Sequence, residues 1–408
     1  MIARAALGLP PSSAVTATES PTTTIGVLGA PWRGTVSPGG AIEWDRGRID
    51  WWVAADDRWH DPAAGATVRQ ERLGGTPVVE TRVRVPKGDV IQRVYAVADA
   101  GGTTVIELEN DSPLPVAVAV SSRDLRSVRP PSDMAPQGID LPSGAAIHPI
   151  GHRATIRLAL AHDGSGAGPL PDGLPTALQV VRGWTSQLER SSRLVLPDAA
   201  AAASLMAIRS DLALEGLDDP DDDPIAFLLG VHELARLGAP VDPWVPEIAS
   251  VVEQVGRTAA RSGLGWDAER ALLAAASSFV RAGDRRAAGD VEVMRERLGE
   301  RTSVALSRPE GVRGAAWLED RLARPVASGR CLVLPEPLPE SWLGVNFECY
   351  RLPAGPEHEL SFAVRWHGAR PALLWELNGP PGLVLAGVRN DQDWWSTEHA
   401  GETLLSAP

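Results

Sequence analysis

Two groups of acidic residues lie where helices are predicted to begin, and their types and spacing suit acid–base chemistry. One is "LDDPDDDP", which contains Asp223 before a proline, and the other is "GWDAE", which contains Asp267 and Glu269. Hydrolysis of a glycosidic bond commonly uses two carboxyl groups about 5–10 Å apart, one as an acid and the other as a base or nucleophile. The candidate catalytic residues are therefore Glu269, Asp223 and Asp267.

These carboxylates have a catalytic and a structural interpretation. Glu269 is the candidate general acid, because it lies one turn inside an apolar helix, where burial raises the pKa of a carboxyl group. Asp223 is the candidate base. Asp223 and Asp267 also stand at N-cap positions, and Glu269 complements the dipole of a first helical turn. The sequence leaves both interpretations open.

Tryptophan offers a flat apolar face to a sugar ring, and four of the 14 tryptophans are candidate binding residues. Trp266 and Trp244 lie near the acidic groups. Trp51 and Trp52 belong to "WDRGRIDWWVAADDRWHD", where aromatic residues alternate with carboxylates and arginines. This stretch is either a platform for sugars or a hairpin whose tryptophans form its core.

Neither a metal nor a cofactor is expected. The five aspartates of the first acidic group have oxygen ligands that Ca²⁺ accepts, but they lack the D-x-D-x-D-G spacing of a calcium loop. The sequence has no H-E-x-x-H motif, phosphate-binding loop, dinucleotide fingerprint or G-x-S-x-G nucleophile elbow.

A block of helices must position these residues. Apolar periodicity and capping residues predict helices at 199–215, 224–238, 246–261, 267–283 and 285–299. From the second helix onward, apolar faces alternate between nearly complete and one-sided. That order of buried and half-buried helices predicts two layers of antiparallel helices.

Short strands with period-two alternation precede and follow the helices. The clearest are "VVETRVRV", "VIQRVYAVA", "TTVIELEN", "PVAVAVSS" and "ATIRLALA", and a later pair, "SFAVRW" and "ALLWEL", reads as a hairpin. The chain is thus predicted to be a mixed α and β, multidomain protein. The predicted regions are a loosely ordered N-terminus (1–24), an antiparallel β-sandwich (25–196, with a link at 176–196), a helical domain (197–305) and a small C-terminal β-domain (306–408).

The segments "DDPIAFLLGVHELARLG" and "GWDAERALLAAASSFVRAGD" look like successive inner helices of an α/α toroid. The chain in this respect resembles the six-hairpin glycosidase superfamily, the glucoamylase-like and glycogen-debranching-like enzymes, in which a supersandwich precedes the toroid. The resemblance covers about a quarter of the chain and implies a partial toroid. It implies a glycoside-hydrolase-like protein that binds or hydrolyses an oligosaccharide or glucan. The alternative is a non-catalytic scaffold or protein-interaction module with the same sandwich-plus-helices architecture.

Composition restricts the partners. The net charge of −13 argues against nucleic acid, which needs a basic surface. No apolar run is long enough for a secretory signal or a membrane span, so a cytoplasmic protein is expected. Cys331 and Cys349 could form one disulfide, although we expect buried free thiols. A homodimer is expected if the apolar faces of the second and fourth helices are not covered within the chain.

Overall fold

The computed structural model describes residues 22–55, 58–65, 68–132, 134, 144–299, 307–388 and 391–407. The prediction of a loosely ordered N-terminus falls almost entirely on residues 1–21, outside the described residues, and so do Asp56 and Asp57. The chain divides into two compact units, Met1–Thr185 and Ser186–Pro408. The link predicted at 176–196 spans this division.

The first unit is rich in strands. Its strands are β1 (Thr23–Gly26), β2 (Arg33–Val36), β3 (Ile42–Trp44), β4 (Gly47–Ile49), β5 (Trp51–Ala55), β6 (Arg58–His60), β7 (Val68–Arg72), β8 (Val79–Val85), β9 (Gly88–Val97), β10 (Thr103–Asn110), β11 (Val116–Val120), β12 (Arg126–Ser127), β13 (Ala146–Ile150), β14 (Thr155–Ala161) and β15 (Gly168–Pro169). Helix α1 (Ala177–Leu188) follows them. The five stretches with the clearest period-two pattern form β8, β9, β10, β11 and β14, as predicted.

Three sheets organise these strands. Their strand orders are β1-β2-β3-β4, β15-β12-β14-β10-β9-β8-β7 and β13-β11-β5-β6. One apolar cluster takes side chains from all three sheets, among them Ile42, Val53 and Ile106. Because side chains alternate across a strand, the opposite face of the seven-stranded sheet carries the polar residues of β8 to β10. At one end of that face, Tyr95 and Val105 pack in a cluster with Val181 of α1.

The second unit contains six helices and nine strands among its described residues. The helices are α2 (Ala199–Glu215), α3 (Pro224–Leu237), α4 (Val245–Ser262), α5 (Trp266–Arg281), α6 (Arg285–Leu298) and α7 (Gly311–Asp320). The strands are β16 (Arg193–Val195), β17 (Ala323–Val326), β18 (Arg330–Val333), β19 (Phe347–Gly355), β20 (His358–His367), β21 (Arg370–Asn378), β22 (Val384–Ala386), β23 (Trp395–Ser396) and β24 (Ala400–Leu404).

The helices α2 to α6 agree with the predicted ranges to within two residues, and their burial follows the predicted order. Helices α3 and α5 are buried on nearly all sides, whereas α4 buries one stripe that includes Ile248, Val251 and Val255. Since α3 and α5 are covered within their own unit, they do not present the apolar face that motivated the expected homodimer. The homodimer stays a prediction.

Helix α7 lies in a stretch that was expected to contain strands. Gly311 and Gly314 lower its helix propensity, which hides it from sequence analysis. Gly314 has a packing reason, because a Cβ atom there would meet the carbonyl oxygen of Pro309 and the side chain of Ile208. The close approach of α7 to α2 brings Glu319 and Asp320 into the interior of the unit.

The C-terminal strands form a five-stranded sheet, β16-β19-β20-β21-β24, and a four-stranded sheet, β17-β18-β22-β23. The predicted hairpin is present as the antiparallel pair β20 and β21. Both sheets contribute to one apolar cluster that contains Cys331 and Cys349, and both cysteines are buried free thiols. No helix in the described part of the chain is both long and apolar enough to cross a membrane.

Candidate functional site

Asp223 and Asp267 are brought together by an arginine that the sequence analysis did not single out. Arg313 of α7 donates from Nη1 and Nη2 to Asp223, at 2.5 and 2.8 Å, and from Nε to Oδ2 of Asp267 at 3.2 Å. All three side chains are about one-quarter to one-third exposed. The beginnings of α3 and α5 are thereby joined to α7 by one guanidinium group.

The two aspartates differ in their capping roles. Asp223 is the N-cap of α3, because its Oδ1 accepts a hydrogen bond from the backbone N–H of Ala226 at 2.9 Å. The hydrogen bond from Arg313 holds the pKa of Asp223 below its usual range. Asp267 does not cap α5 as expected; Gly265 is the N-cap residue, and Asp267 lies inside the first turn. Asp223 is therefore an ionised structural carboxylate.

Glu269 lies on a different side of α5. Two residues along an α-helix correspond to a rotation of about 200°, so Glu269 points nearly opposite to Asp267. Glu269 is 4% exposed, and its Oε1 lies 3.8 Å from Nη2 of Arg295 on α6. Arg295 also donates to both carboxylate oxygens of Glu292 at 2.7 and 2.8 Å. Glu269 and Asp267 consequently do not face each other, and Glu269 lies beside a different arginine from the one that joins Asp267 to the predicted base Asp223.

The candidate tryptophans have separate surroundings. Nε1 of Trp266 donates to Oδ2 of Asp320 at 2.9 Å, and Trp244, which is 38% exposed, packs edge-on against Phe227. In the strand-rich unit, Trp51 is 2% exposed and donates from Nε1 to the carbonyl oxygen of Gly39. Trp52, which is half-buried, packs against a small apolar cluster. Trp51 is therefore a core residue, as the hairpin interpretation expects.

A prediction follows for Asp223. Replacing Asp223 by alanine removes the cap and the ion pair with Arg313, and we expect a loss of about 1–2 kcal/mol in the free energy of unfolding. Asp223→Asn keeps an oxygen that can cap α3, so it should cost less than about 1 kcal/mol. Urea unfolding of both variants measures the difference, with Asp222→Ala at the exposed neighbouring position as the control. Equal losses for the two variants would show that the cap contributes nothing.

A buried group of charged residues, here called the ion network, connects α2, α3, α5 and α7. Each of its members exposes less than a tenth of its surface, and they are Arg209, Glu233, Arg236, Arg270, Glu319 and Asp320. Three guanidinium groups face three carboxylates in it, so the charges balance. Ser191 and Ser192, which precede β16, donate to Glu233 and Glu319 at 2.6 and 2.7 Å.

Glu319 is the centre of the ion network. It accepts hydrogen bonds from Arg209 at 3.0 Å, from Arg236 at 2.9 and 3.0 Å, and from Arg270 at 3.4 Å. Arg209 also donates from Nε to Glu233 at 2.5 Å, and Arg270 donates to Asp320 at 3.0 Å. A charge pair that is removed from water stabilises a fold only when its geometry is good and its remaining polar atoms are satisfied. Most polar atoms of the ion network have hydrogen-bond partners at good distances, so the network largely satisfies this condition.

His232 lies beside the ion network without a hydrogen bond to it. Neither ring nitrogen has a hydrogen-bond partner among the described residues, and Nη1 of Arg270 has none either. A cavity of about 10 Å³ is lined by His232, Arg270, Glu233 and Glu319 together with apolar side chains. Burial, followed by the charges of Arg236 and Arg270, lowers the pKa of His232 well below its usual value. The imidazole is thus neutral.

A much larger cavity, of about 1320 Å³, lies in the strand-rich unit on the polar face of the seven-stranded sheet. Charged side chains stand there as direct cross-strand neighbours, in the order Glu71, Glu80, Arg93, Glu107 and Arg157. Glu80 accepts from Arg93 and Arg82, each at 2.7 Å, and Arg93 also donates to Glu109 at 2.7 Å. We call this cavity the charged cleft.

No protein-family model matches this chain, and no curated protein does. Function must therefore be inferred from the side chains. Arg313 and Glu319 are not apparent from the sequence, because each meets its partners across about 50–130 residues of chain. The sequence does contain a signal for the charged cleft, because the alternation in "VETRVRV" places Glu80 and Arg82 on one face of a strand. That alternation is equally typical of a strand with one face in solvent.

Proposed function

We propose that this is a non-catalytic, glycosidase-like protein that recognises an oligosaccharide or glucan without cleaving it. The observation that carries the proposal is that an arginine lies against each of the three candidate catalytic carboxylates. Arg313 binds Asp223 and Asp267, and Arg295 lies beside Glu269. Each of the three candidate carboxylates therefore has an arginine as its ion-pair partner.

The burial of Glu269 adds a second reason. A general acid must come within about 3 Å of the oxygen that it protonates. Glu269 is 4% exposed and lies beside Arg295 of α6, whereas the candidate base Asp223 caps α3 and is held by a different arginine, Arg313. A glycosidic oxygen has no access to such a residue, so proton donation by Glu269 is not supported.

The proposed architecture is a reduced form of the toroid enzymes. The alternation of nearly buried and half-buried helices from α3 to α6 supports a partial α/α toroid. The apolar cluster shared by three sheets, which are antiparallel apart from the pair β12 and β15, supports a supersandwich-like first domain. In this proposal the ion network occupies the interior of the helical part and holds its helices together, which suits a non-catalytic protein better than a catalytic funnel.

The test is a comparison of binding with hydrolysis. We expect the wild-type protein to bind at least one α- or β-linked gluco-oligosaccharide with saturation in calorimetry, and to release no reducing sugar from any of them. We expect Glu269→Gln to bind the same oligosaccharide with the same affinity, because Glu269 does not contact the ligand.

Two outcomes would contradict this proposal. Hydrolysis by the wild-type protein that is abolished in Glu269→Gln at an unchanged melting temperature would establish the catalytic hypothesis. Absence of both hydrolysis and binding across the oligosaccharide panel would leave the alternative, a scaffold or protein-interaction module.

A further inference from the structure

We propose that the charged cleft is a binding site for a neutral, hydroxyl-rich ligand, the chemical class to which oligosaccharides belong. The inference rests on the proposed function and names the place where recognition occurs. The cleft belongs to the strand-rich unit and contains none of the residues that the sequence singled out as catalytic or as sugar platforms.

The cleft has room for a ligand of several rings. Small-molecule sites usually have volumes of about 300–1,000 Å³, and the charged cleft has about 1320 Å³. Its floor is the polar face of β8, β9, β10 and β14. Its walls include Val128, Arg129 and Pro130, which follow β12, and Gly151, Arg153 and Ala154, which precede β14. An extended ligand can therefore lie across several strands.

The acidic side chains supply hydrogen-bond acceptors along the cleft. Five carboxylates line it, and they are Glu71, Glu80, Glu107, Glu109 and Asp111. Ionised carboxylates accept about four hydrogen bonds each. Glu109 accepts one from Arg93, and its side chain is 31% exposed, so the carboxylate has capacity for a hydroxyl group.

The basic side chains supply an equal number of donors. Five arginines line the cleft, and they are Arg82, Arg93, Arg129, Arg153 and Arg157. Because five guanidinium groups balance five carboxylates, the lining gives no electrostatic preference for a polyanion or a polycation. A hydroxyl group can donate to a carboxylate and accept from a guanidinium, so a polyhydroxylated ligand fits both sets without a charge of its own.

The polar groups are fixed before a ligand arrives. Arg93 is held by Glu80 and Glu109. Arg157 forms an ion pair with Glu107 at 2.8 Å, and Glu107 also accepts a hydrogen bond from the Tyr95 hydroxyl at 2.9 Å. Burial works against the charge on Arg93, but Glu80 and Glu109 outweigh that effect and raise the pKa of Arg93. Side chains that are already ordered lose little entropy on binding, which increases affinity. The described lining contains no Trp, Tyr or Phe, so hydrogen bonds rather than ring stacking would hold the ligand.

The experiment removes one charge of each sign. Glu109→Gln leaves the cleft with one excess positive charge, and Arg82→Gln leaves it with one excess negative charge. Both positions are part-exposed, so the variants should fold. Glu43→Gln is the matched control, since Glu43 is also a carboxylate paired with an arginine, Arg48, but lies on a different sheet of the same unit. The probes are α-1,4- and β-1,4-linked gluco-oligosaccharides, an oligogalacturonate as an anionic probe and a chitosan oligomer as a cationic probe.

A neutral ligand gives a specific pattern. We expect both cleft variants to weaken binding of the neutral oligosaccharide about tenfold, and the control to leave it unchanged. If the ligand is instead charged, one variant should strengthen binding and the other weaken it, and the charged probes should bind better than the neutral ones. That result would overturn the inference.

The remaining outcomes separate this inference from the proposed function. Binding of a neutral oligosaccharide that neither cleft variant changes would place the site elsewhere, and it would leave the proposed function standing. Hydrolysis of the oligosaccharide by the wild-type protein would overturn the proposed function whatever the cleft variants do. Binding of no probe at all would overturn both.

Discussion

Replacing Glu319 by glutamine is expected to lower the free energy of unfolding of the second unit by about 3–5 kcal/mol, or its melting temperature by about 10 °C. Glu319 accepts hydrogen bonds from Arg209, Arg236 and Arg270 inside the ion network. An amide at this position removes the charge and turns N–H donors toward guanidinium groups, which are also donors. Three buried positive charges would then face the two carboxylates that remain in the network.

The matched control for this variant is Glu357→Gln in the same unit. Glu357 pairs with Arg285 at 3.0 Å, but the arginine side chain is 77% exposed. A solvent-exposed pair contributes about 0–1 kcal/mol, so the control should lose no more than that. Urea unfolding followed by circular dichroism measures both variants. Equal losses in the two would mean that the ion network contributes no more than a surface ion pair does.

Acidification is expected to destabilise the second unit through His232. In the unfolded chain this histidine has an ordinary pKa of about 6.5, whereas in the folded protein burial and the charges of Arg236 and Arg270 lower its pKa well below that value. As the pH falls below about 6.5, the unfolded state binds a proton that the folded state does not, so stability falls by about 1.4 kcal/mol per pH unit for this residue. Above pH 7 the unfolding free energy is unaffected by His232. Below that pH it decreases progressively, until the pH reaches the pKa of His232 in the folded state.

Variants at His232 test the origin of this acid sensitivity. His232→Gln cannot take up a proton, so the pH dependence of its unfolding free energy should be shallower by about one proton between about pH 6.5 and pH 5. His367→Gln, at an exposed position on β20, serves as the control and should leave the slope unchanged. An unchanged slope in His232→Gln would show that another group takes up the proton.

A similar effect is present in the strand-rich unit. His162 stacks on Trp32 with ring centroids 3.7 Å apart, and its Nε2 lies 2.9 Å from Oγ1 of Thr104. Burial lowers the pKa of His162 to about 4, against a smaller opposing effect of Asp163. Acid therefore lowers the unfolding free energy through His162 as it does through His232, because the unfolded state binds the proton at a higher pH than the folded state does. Each unit therefore contains a histidine that favours unfolding in acid.

The helical part of the fold follows closely from local sequence signals. Asp223 and Pro224 mark the beginning of α3, and Gly238, with φ of 106°, ends it in the left-handed conformation that glycine adopts most easily. The period-two stretches likewise become strands where the sequence indicates. These signals are local, since caps, helix periodicity and strand alternation depend on residues only a few positions apart.

The candidate site could not be predicted to the same degree. Asp223 and Asp267 could be identified as candidates because they lie at the predicted beginnings of helices. Their shared partner Arg313 lies 90 and 46 residues further along the chain. Helix α7, which contains Arg313 and Glu319, has a weak helical signal because of its glycines. Ion pairs of long sequence separation are set by packing, and a single sequence carries no periodicity that reveals them. The distinction between a catalytic and a structural carboxylate depended on those pairs.

The two free cysteines give the C-terminal strands an internal measure of how often they open. Cys331 on β18 and Cys349 on β19 are both 0% exposed, and burial raises the pKa of each thiol. Only the thiolate reacts with alkylating reagents, so neither cysteine reacts in the closed state. The rate of modification is then set by local opening of the strand region rather than by thiol chemistry. Because β18 and β19 belong to different sheets, the two cysteines separate opening of one sheet from opening of the other.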